Sequence, residues 1–202
     1  MIDQTLNGDV LTLTLNRPDK ANSVTAQMLQ TLASAVEGHK GKTLILTGTG
    51  KVFSAGADLD AAKAGLATDP VWERLSSAIA SFDGLSIAAL NGTLAGGSCG
   101  MALACDLRIA VPTAKVFYPV MKLGFLPQPS DPSRLAKLVG PAKAKMILMA
   151  GVKATAQEAL QWGLYDRITE PETLIETVHE LAQDCLAAAP EHVSAIKRMI
   201  HA

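Results

Sequence analysis

The sequence predicts an α/β domain that ends in a helical C-terminal region. Three observations lead there. Over the first 130 residues, short apolar strand-like runs interleave with stretches of helical period. From Asp131 onward, helix-start signals replace strand signals. The 202 residues are 49% apolar and only 18% charged, enough to bury the core of one domain. Aromatic residues are only 4%, so that core must come from Ala, Leu, Val, Ile and Met.

The elements follow in order. Val10-Leu11-Thr12-Leu13-Thr14-Leu15 alternates and places three leucines on one face of a half-buried strand. Asn16-Arg17-Pro18-Asp19-Lys20 breaks it with turn residues. Met28, Leu29, Leu32 and Val36 recur at helical spacing, predicting a helix from about Thr25 to Glu37 that Gly38 stops. Thr43 to Thr47 reads as a strand, and Asp69-Pro70 opens a helix with Asp as cap. Ile87 to Leu90 and Leu107 to Val111 read as buried strands, the first closed by Asn91-Gly92. Helix starts follow at Asp131-Pro132, Gly140-Pro141, Pro171 and Pro190, and Thr155-Ala156-Gln157-Glu158 is a capping box. No fixed-period repeat or low-complexity linker divides the chain, which gives one domain over 1–202, with a core over 1–130 and a helical part over 131–202.

Composition excludes several functions. A net charge of -1 offers no basic footprint for nucleic acid. No apolar run is long enough to span a membrane, and residues 1–5 lack the features of a signal peptide. Cys99, Cys105 and Cys185 are odd in number and lack CxxC spacing, which points to free thiols and a cytoplasmic location. The four histidines are scattered, so no metal site is expected.

Two segments carry a chemical signal. Val52 to Leu59 and Asn91 to Gly100 are small-residue loops, each lying between a strand and a helix start. Loops of this kind present backbone N–H groups where negative charge is favoured, and their small side chains let a ligand carbonyl approach. Two such donors from separate loops can hold one developing oxyanion. Tight packing alone also produces glycine-rich turns. Neither loop matches GxGxxG or a P-loop. Asp58 reads first as a helix cap, and Cys99 as a packing thiol.

Six ordered motifs then make the chain recognisable. They are Asn16-Arg17-Pro18 with Asn22; Phe53 to Leu59; Asn91-Gly92 with Gly96-Gly97; Cys105-Asp106; Leu123-Gly124; and Gly163-Leu164 with Asp166. Over almost its whole length the chain resembles the crotonase superfamily, the enoyl-CoA hydratase/isomerase family. The resemblance implies a crotonase-like spiral of ββα units with a helical C-terminal region. It also implies acyl-CoA thioester chemistry, as in fatty acid metabolism, with an enolate held by two backbone N–H groups. Those donors fall on Ala57 and Gly97. Ala21, Ser23, Ala55, Gly56, Asp58, Leu59 and Gly96 would contact the substrate, whose coenzyme A is its carrier; no permanently bound cofactor is implied.

The chain departs from the family's hydratases at two positions. These carry two glutamates, where this chain has Gly100 and, after Pro119, Val120. Neither replacement can move a proton, so simple hydration is disfavoured and isomerase or lyase chemistry is favoured. The segment from Phe125 to Pro132 holds Gln128, able to orient a substrate, and Asp131, its only carboxylate. Asp131 also precedes Pro132 as a helix cap would. Tyr118 could donate through its phenol or simply pack, and Asp60 and Glu73 could reach the site; Lys122 and Arg134 read as surface or ion-pair residues. Family members typically run on past the position of Pro190-Glu191-His192 by several tens of residues. The expectation is therefore a homo-oligomer, a trimer or a multiple of it, weakened by the short C-terminus, with a pocket more open or closed by a partner. The competing expectations are a non-catalytic acyl-CoA-binding protein and a subunit of a larger assembly.

Overall fold

The structure, a computed structural model, describes residues 1–201. A hairpin of β1 (Ile2–Asn7) and β2 (Val10–Leu15) leads into α1 (Ala26–Gly38). Then come β3 (Thr43–Gly48), β4 (Val52–Ser54), α2 (Leu59–Lys63) and α3 (Val71–Ala80). The pattern repeats with β5 (Leu85–Leu90), β6 (Thr93–Ala95) and α4 (Cys99–Ala104), and again with β7 (Leu107–Ala110), β8 (Lys115–Phe117) and α5 (Val120–Leu123). After α6 (Asp131–Leu148) follow β9 (Ala154–Thr155), α7 (Ala156–Gln161), β10 (Arg167–Ile168), α8 (Leu174–Ala187) and α9 (Pro190–His201).

The strands form two sheets, β1-β2-β3-β5-β7-β10 and β4-β6-β8-β9. Each pair β3/β4, β5/β6 and β7/β8 sends its first strand to the large sheet and its second to the small one before a helix follows. The result is a spiral of three ββα turns. Central strands of the large sheet run parallel and are buried on both faces, which is why Leu44 to Leu46 and Ile87 to Leu90 are unbroken apolar runs. Helix α1 lies where its spacing predicts, with Met28, Leu29, Leu32 and Val36 buried and the Thr25 hydroxyl accepting from the Met28 N–H. Asp69 accepts from the Val71 N–H, so α3 starts one residue later than expected.

Some sequence motifs serve the architecture. The buried Arg108 side chain donates to the carbonyls of Leu164 and Cys105, both at 2.7 Å, and pairs with Asp166 at 3.0 Å. It thereby joins the Cys105-Asp106 turn to the Gly163 to Asp166 turn. Asp106 accepts from the Ser86 N–H and hydroxyl and from Lys197, docking α9 against the large sheet. The capping box forms as predicted, with Thr155 and Glu158 exchanging bonds at the start of α7. Thr155→Ala should cost about 1 kcal/mol in chemical denaturation.

Two features differ from expectation. Strand β1 carries polar, exposed residues at the sheet edge and has no alternation to reveal it. The segments at 52–54 and 93–95, expected as loops, begin as strands of the small sheet. The helix start read at Gly140-Pro141 is present: Gly140, at φ 75° and ψ 160°, is non-helical and separates two helical stretches within α6, the second beginning at Pro141.

Candidate active site

The site follows from strand direction. Strands β4, β6 and β8 run parallel, so their C-terminal ends share one edge of the small sheet. Ala55 to Ala57, Gly96-Gly97 and Tyr118-Pro119 leave the sheet at that edge. The carboxyl ends of parallel strands are where open α/β sheets place their ligands.

The Asn-Arg-Pro turn fixes the first loop. Asn22, fully buried at φ 52°, accepts from the Arg17 N–H and donates to the carbonyls of Thr49 and Val52. This holds Ala21 and Ser23 beside residues 55–58. The Ala55 N–H donates to Ala21 O, Val24 N–H to Gly56 O, and Asp58 N–H to Val24 O. In this parallel bridge the groups flanking Ala57 face Val24, so the Ala57 N–H points to the opposite side. Arg17 meets Asp58 at 2.8 Å. Asp58 also caps α2 by accepting from the Asp60 and Ala61 N–H groups. The Arg17 hydrogen bond, then these backbone bonds, hold its carboxyl below the usual range. The cap reading of Asp58 is thus what the geometry shows, and Leu59 beside it is exposed.

The second loop meets the first through glycine. Gly56 has φ +94°; a Cβ there would lie 2.9 Å from Ala95 O and 3.4 Å from Gly97 N. Gly96, at φ +59°, would place a Cβ 3.5 Å from the Gly56 Cα. Ser98 Oγ donates to Ala95 O and to Ser54 O, stitching the two loops together. The Trp72 indole backs Gly97, 3.1 Å from where its Cβ would be. Ala57 and Gly97 therefore sit on two touching loops.

Asp131 lies on the same side, and it is not the helix cap. Ser130 occupies the cap position, and the Asp131 carboxyl turns inward, with no exposure. One oxygen accepts from the Tyr118 hydroxyl at 3.0 Å; the other, Oδ1, is buried without a partner. A Cβ built on Gly100 would lie 2.7 Å from Oδ1 and 3.1 Å from Oδ2. The carboxyl fills the space that a side chain at 100 would need. Burial pushes it up to about 6, against opposing effects of the Tyr118 bond and Arg134 and with help from Glu73. Burial above all, then the Asp131 charge, drives the Tyr118 phenol far upward, so it remains a donor.

The other candidates take defined places. The Gln128 N–H donates to the Tyr118 oxygen, and its side chain to Ala67 O. Val120 is buried as an apolar wall, after Pro119 at the start of α5. Glu73 accepts from the Ser130 N–H at 3.2 Å and from the Ser130 hydroxyl. Asp60 is exposed and faces Lys63, outside this cluster. Cys99 is buried against Phe117 O, and burial raises its thiol far above the usual value, consistent with packing. Arg134, by sequence a surface or ion-pair residue, is half-buried and its charge acts on Asp131. No spacing signal marks that role, because it arises from packing at the start of α6.

A cavity of about 930 Å³ opens between α6, α8, α9 and the edge of β5 and β7; Arg134 lines it, and the other candidate residues do not. Among the described residues no cluster suited to a metal ion is present, and no helix is long and apolar enough to cross a membrane.

Comparison with known proteins agrees with this fold. The family model for enoyl-CoA hydratase/isomerase matches residues 5–202. Carnitinyl-CoA dehydratase of Salmonella typhi is 36% identical over 207 residues, spanning 98% of this chain and 79% of the relative. The crystal structure of an enoyl-CoA hydratase/isomerase from Pseudoalteromonas atlantica T6c superposes with a TM-score of 0.91 at 30% identity, over 98% of this chain and 82% of the other. That of an enoyl-CoA hydratase from Bacillus anthracis gives 0.88 at 29% identity, over 99% and 82%. A spiral of ββα turns, two touching glycine loops at its parallel strand ends and a family match over nearly every residue lead to one conclusion: the chain belongs to the enoyl-CoA hydratase/isomerase family of the crotonase superfamily.

Proposed function

We propose that the protein is an enzyme moving a proton on an acyl-CoA thioester, of isomerase type, with the enolate held by the Ala57 and Gly97 N–H groups. The observation that carries this reading is the contact of the two loops through Gly56 and Gly96, with an inward-facing carboxyl one turn away. Gly100 follows Gly97 by three residues, about 5 Å along a helix axis. That spacing supports a role for Asp131 Oδ1, which faces Gly100, toward a thioester bound at the donors. In this reading the carboxylate takes a proton from a carbon adjacent to the thioester carbonyl or from the next allylic one. The C–H electron pair moves into the conjugated system and the charge comes to rest on the thioester oxygen. The carboxyl then returns the proton to the other end of that system, so no other reactant is consumed.

Ala21, Ser23, Ala55, Asp58 and Leu59 would bind the coenzyme A portion along the strap beside the first loop. Gly96, Gly100, Pro119, Val120 and Gln128 would line the acyl side. A group titrating near 6 is suited to both halves of such a transfer at neutral pH. Water addition by two carboxylates is disfavoured, since Val120 offers no second proton-transfer group.

Incubation in heavy water with saturated, enoyl and malonyl-type acyl-CoA esters, read by mass spectrometry, tests the proposal. Deuterium entering the acyl chain is the expected result. Binding without exchange or mass change across the panel would overturn it and leave a ligand clamp.

A further inference from the structure

Helix α3 reaches the candidate site at two successive residues. Trp72 backs Gly97, while its indole N–H donates to Leu66 O. Glu73 reaches the other half of the site, accepting from both the N–H and the hydroxyl of Ser130. Ser130 immediately precedes Asp131, and no side chain caps α6 at that position. The grip of Glu73 therefore does the work that an N-terminal cap would do, and does so from another helix. We infer that Glu73 is a positioning residue, whose hold on Ser130 seats the Asp131 carboxyl against Gly100. The inference rests on the proton-transfer reading of Asp131.

The charges around Asp131 act in defined directions. Tyr118 donates to it from the end of β8, and Arg134 attracts its anion from the next turn of α6. Cys99 faces it as a neutral thiol, and Glu73 on α3 opposes its ionisation. The two donors from Ser130 suit a carboxylate, which can accept both bonds. An amide at this position can accept through only one of its two terminal atoms. Glu73→Gln thus removes a like charge and weakens the grip with almost no change of volume.

The test combines two readouts on the full chain: a carbon-13 titration of the Asp131 carboxyl, and heavy-water exchange of an acyl-CoA ester as a function of pH. In Glu73→Gln the midpoint of Asp131 should fall slightly below about 6, because burial, not Glu73, is the main cause of its rise. The acidic limb of exchange should move with it, and the maximal rate should drop about tenfold or more, as misplaced catalytic groups do. A folded variant whose midpoint and exchange profile match the parent overturns the inference. Should that variant fail to fold, Ser130→Ala removes one tether and no charge. It is expected to slow exchange, and unchanged exchange there overturns the inference equally. If the parent itself exchanges nothing, the proton-transfer reading fails, while the Asp131 titration in Ser130→Ala, which removes a tether and no charge, still decides whether the Glu73–Ser130 contact seats Asp131, an unchanged midpoint overturning the inference.

Discussion

Asp131→Asn should abolish most of the isotope exchange and yet yield a more stable protein above pH 6. The stability effect follows from the inward carboxyl. Its folded-state midpoint is about 6, against an ordinary aspartate value of 3.8. Between those values the folded protein holds a proton that the unfolded chain has released. Stability therefore falls as pH rises from about 4 to 6, and stays lower above that window. At 1.36 kcal/mol per pH unit, the loss is on the order of 2–3 kcal/mol. Asparagine cannot ionise, keeps an acceptor for Tyr118 and leaves one unpartnered polar atom in place of another. Denaturation of both proteins at pH 4 and pH 8 should show near-equality at the lower pH and the variant ahead at the higher. A variant that lost ground at pH 8 would contradict a proton-bearing, inward carboxyl. Under the proposed proton transfer by Asp131, the substitution should slow exchange by about 10²–10⁴.

The second large effect is expected at Gly56. Alanine there meets two obstacles: a φ of +94° and the Ala95 carbonyl 2.9 Å from the new Cβ. A backbone oxygen at the end of β6 retreats only by moving its loop, and that loop carries Gly97. The loops carrying Ala57 and Gly97 should part, and under the proposed enolate chemistry turnover should fall by about 10²–10³, the scale of one missing oxyanion donor. Gly8→Ala provides the control. Gly8 also has positive φ, at +57°, but lies in the β1–β2 hairpin with nothing within 4 Å of the new Cβ. It should cost stability through backbone strain alone and leave turnover unchanged. Equal turnover in both variants would detach the contact of the loops from the chemistry.

The sequence shows most clearly what repeats over several residues. Leu11, Leu13 and Leu15 and the α1 series each present a period long enough to read, and the structure buries both. Strands β4, β6 and β8 are three residues each, shorter than any period can reveal. Their parallel alignment, which places the two candidate loops on one edge, is thus hidden from local patterns. The loops themselves were legible because glycine and serine are required where backbones touch. Asp131 was legible as a carboxylate but not in its role. Its contacts, Tyr118 and Gly100, lie 13 and 31 residues earlier, and the Asp-Pro pair reads locally as a helix start. Glu73 and Arg134 offer no pattern either, since each meets the site only after the helices have packed.

The closeness of Gly100 to Asp131 also constrains the order in which such a site can change. At 2.7 Å, the space beside α4 holds an inward carboxyl from 131 or a side chain at 100, but not both. A mutational path from a carboxylate at 100 to one at 131 cannot pass through a well-packed form carrying both. It must cross either a stage with neither group or a crowded stage in which one is expelled. Gly100→Glu alone should therefore displace the Asp131 carboxyl and lower stability. Gly100→Glu with Asp131→Gly, two changes together, should restore a packed carboxylate from the opposite side.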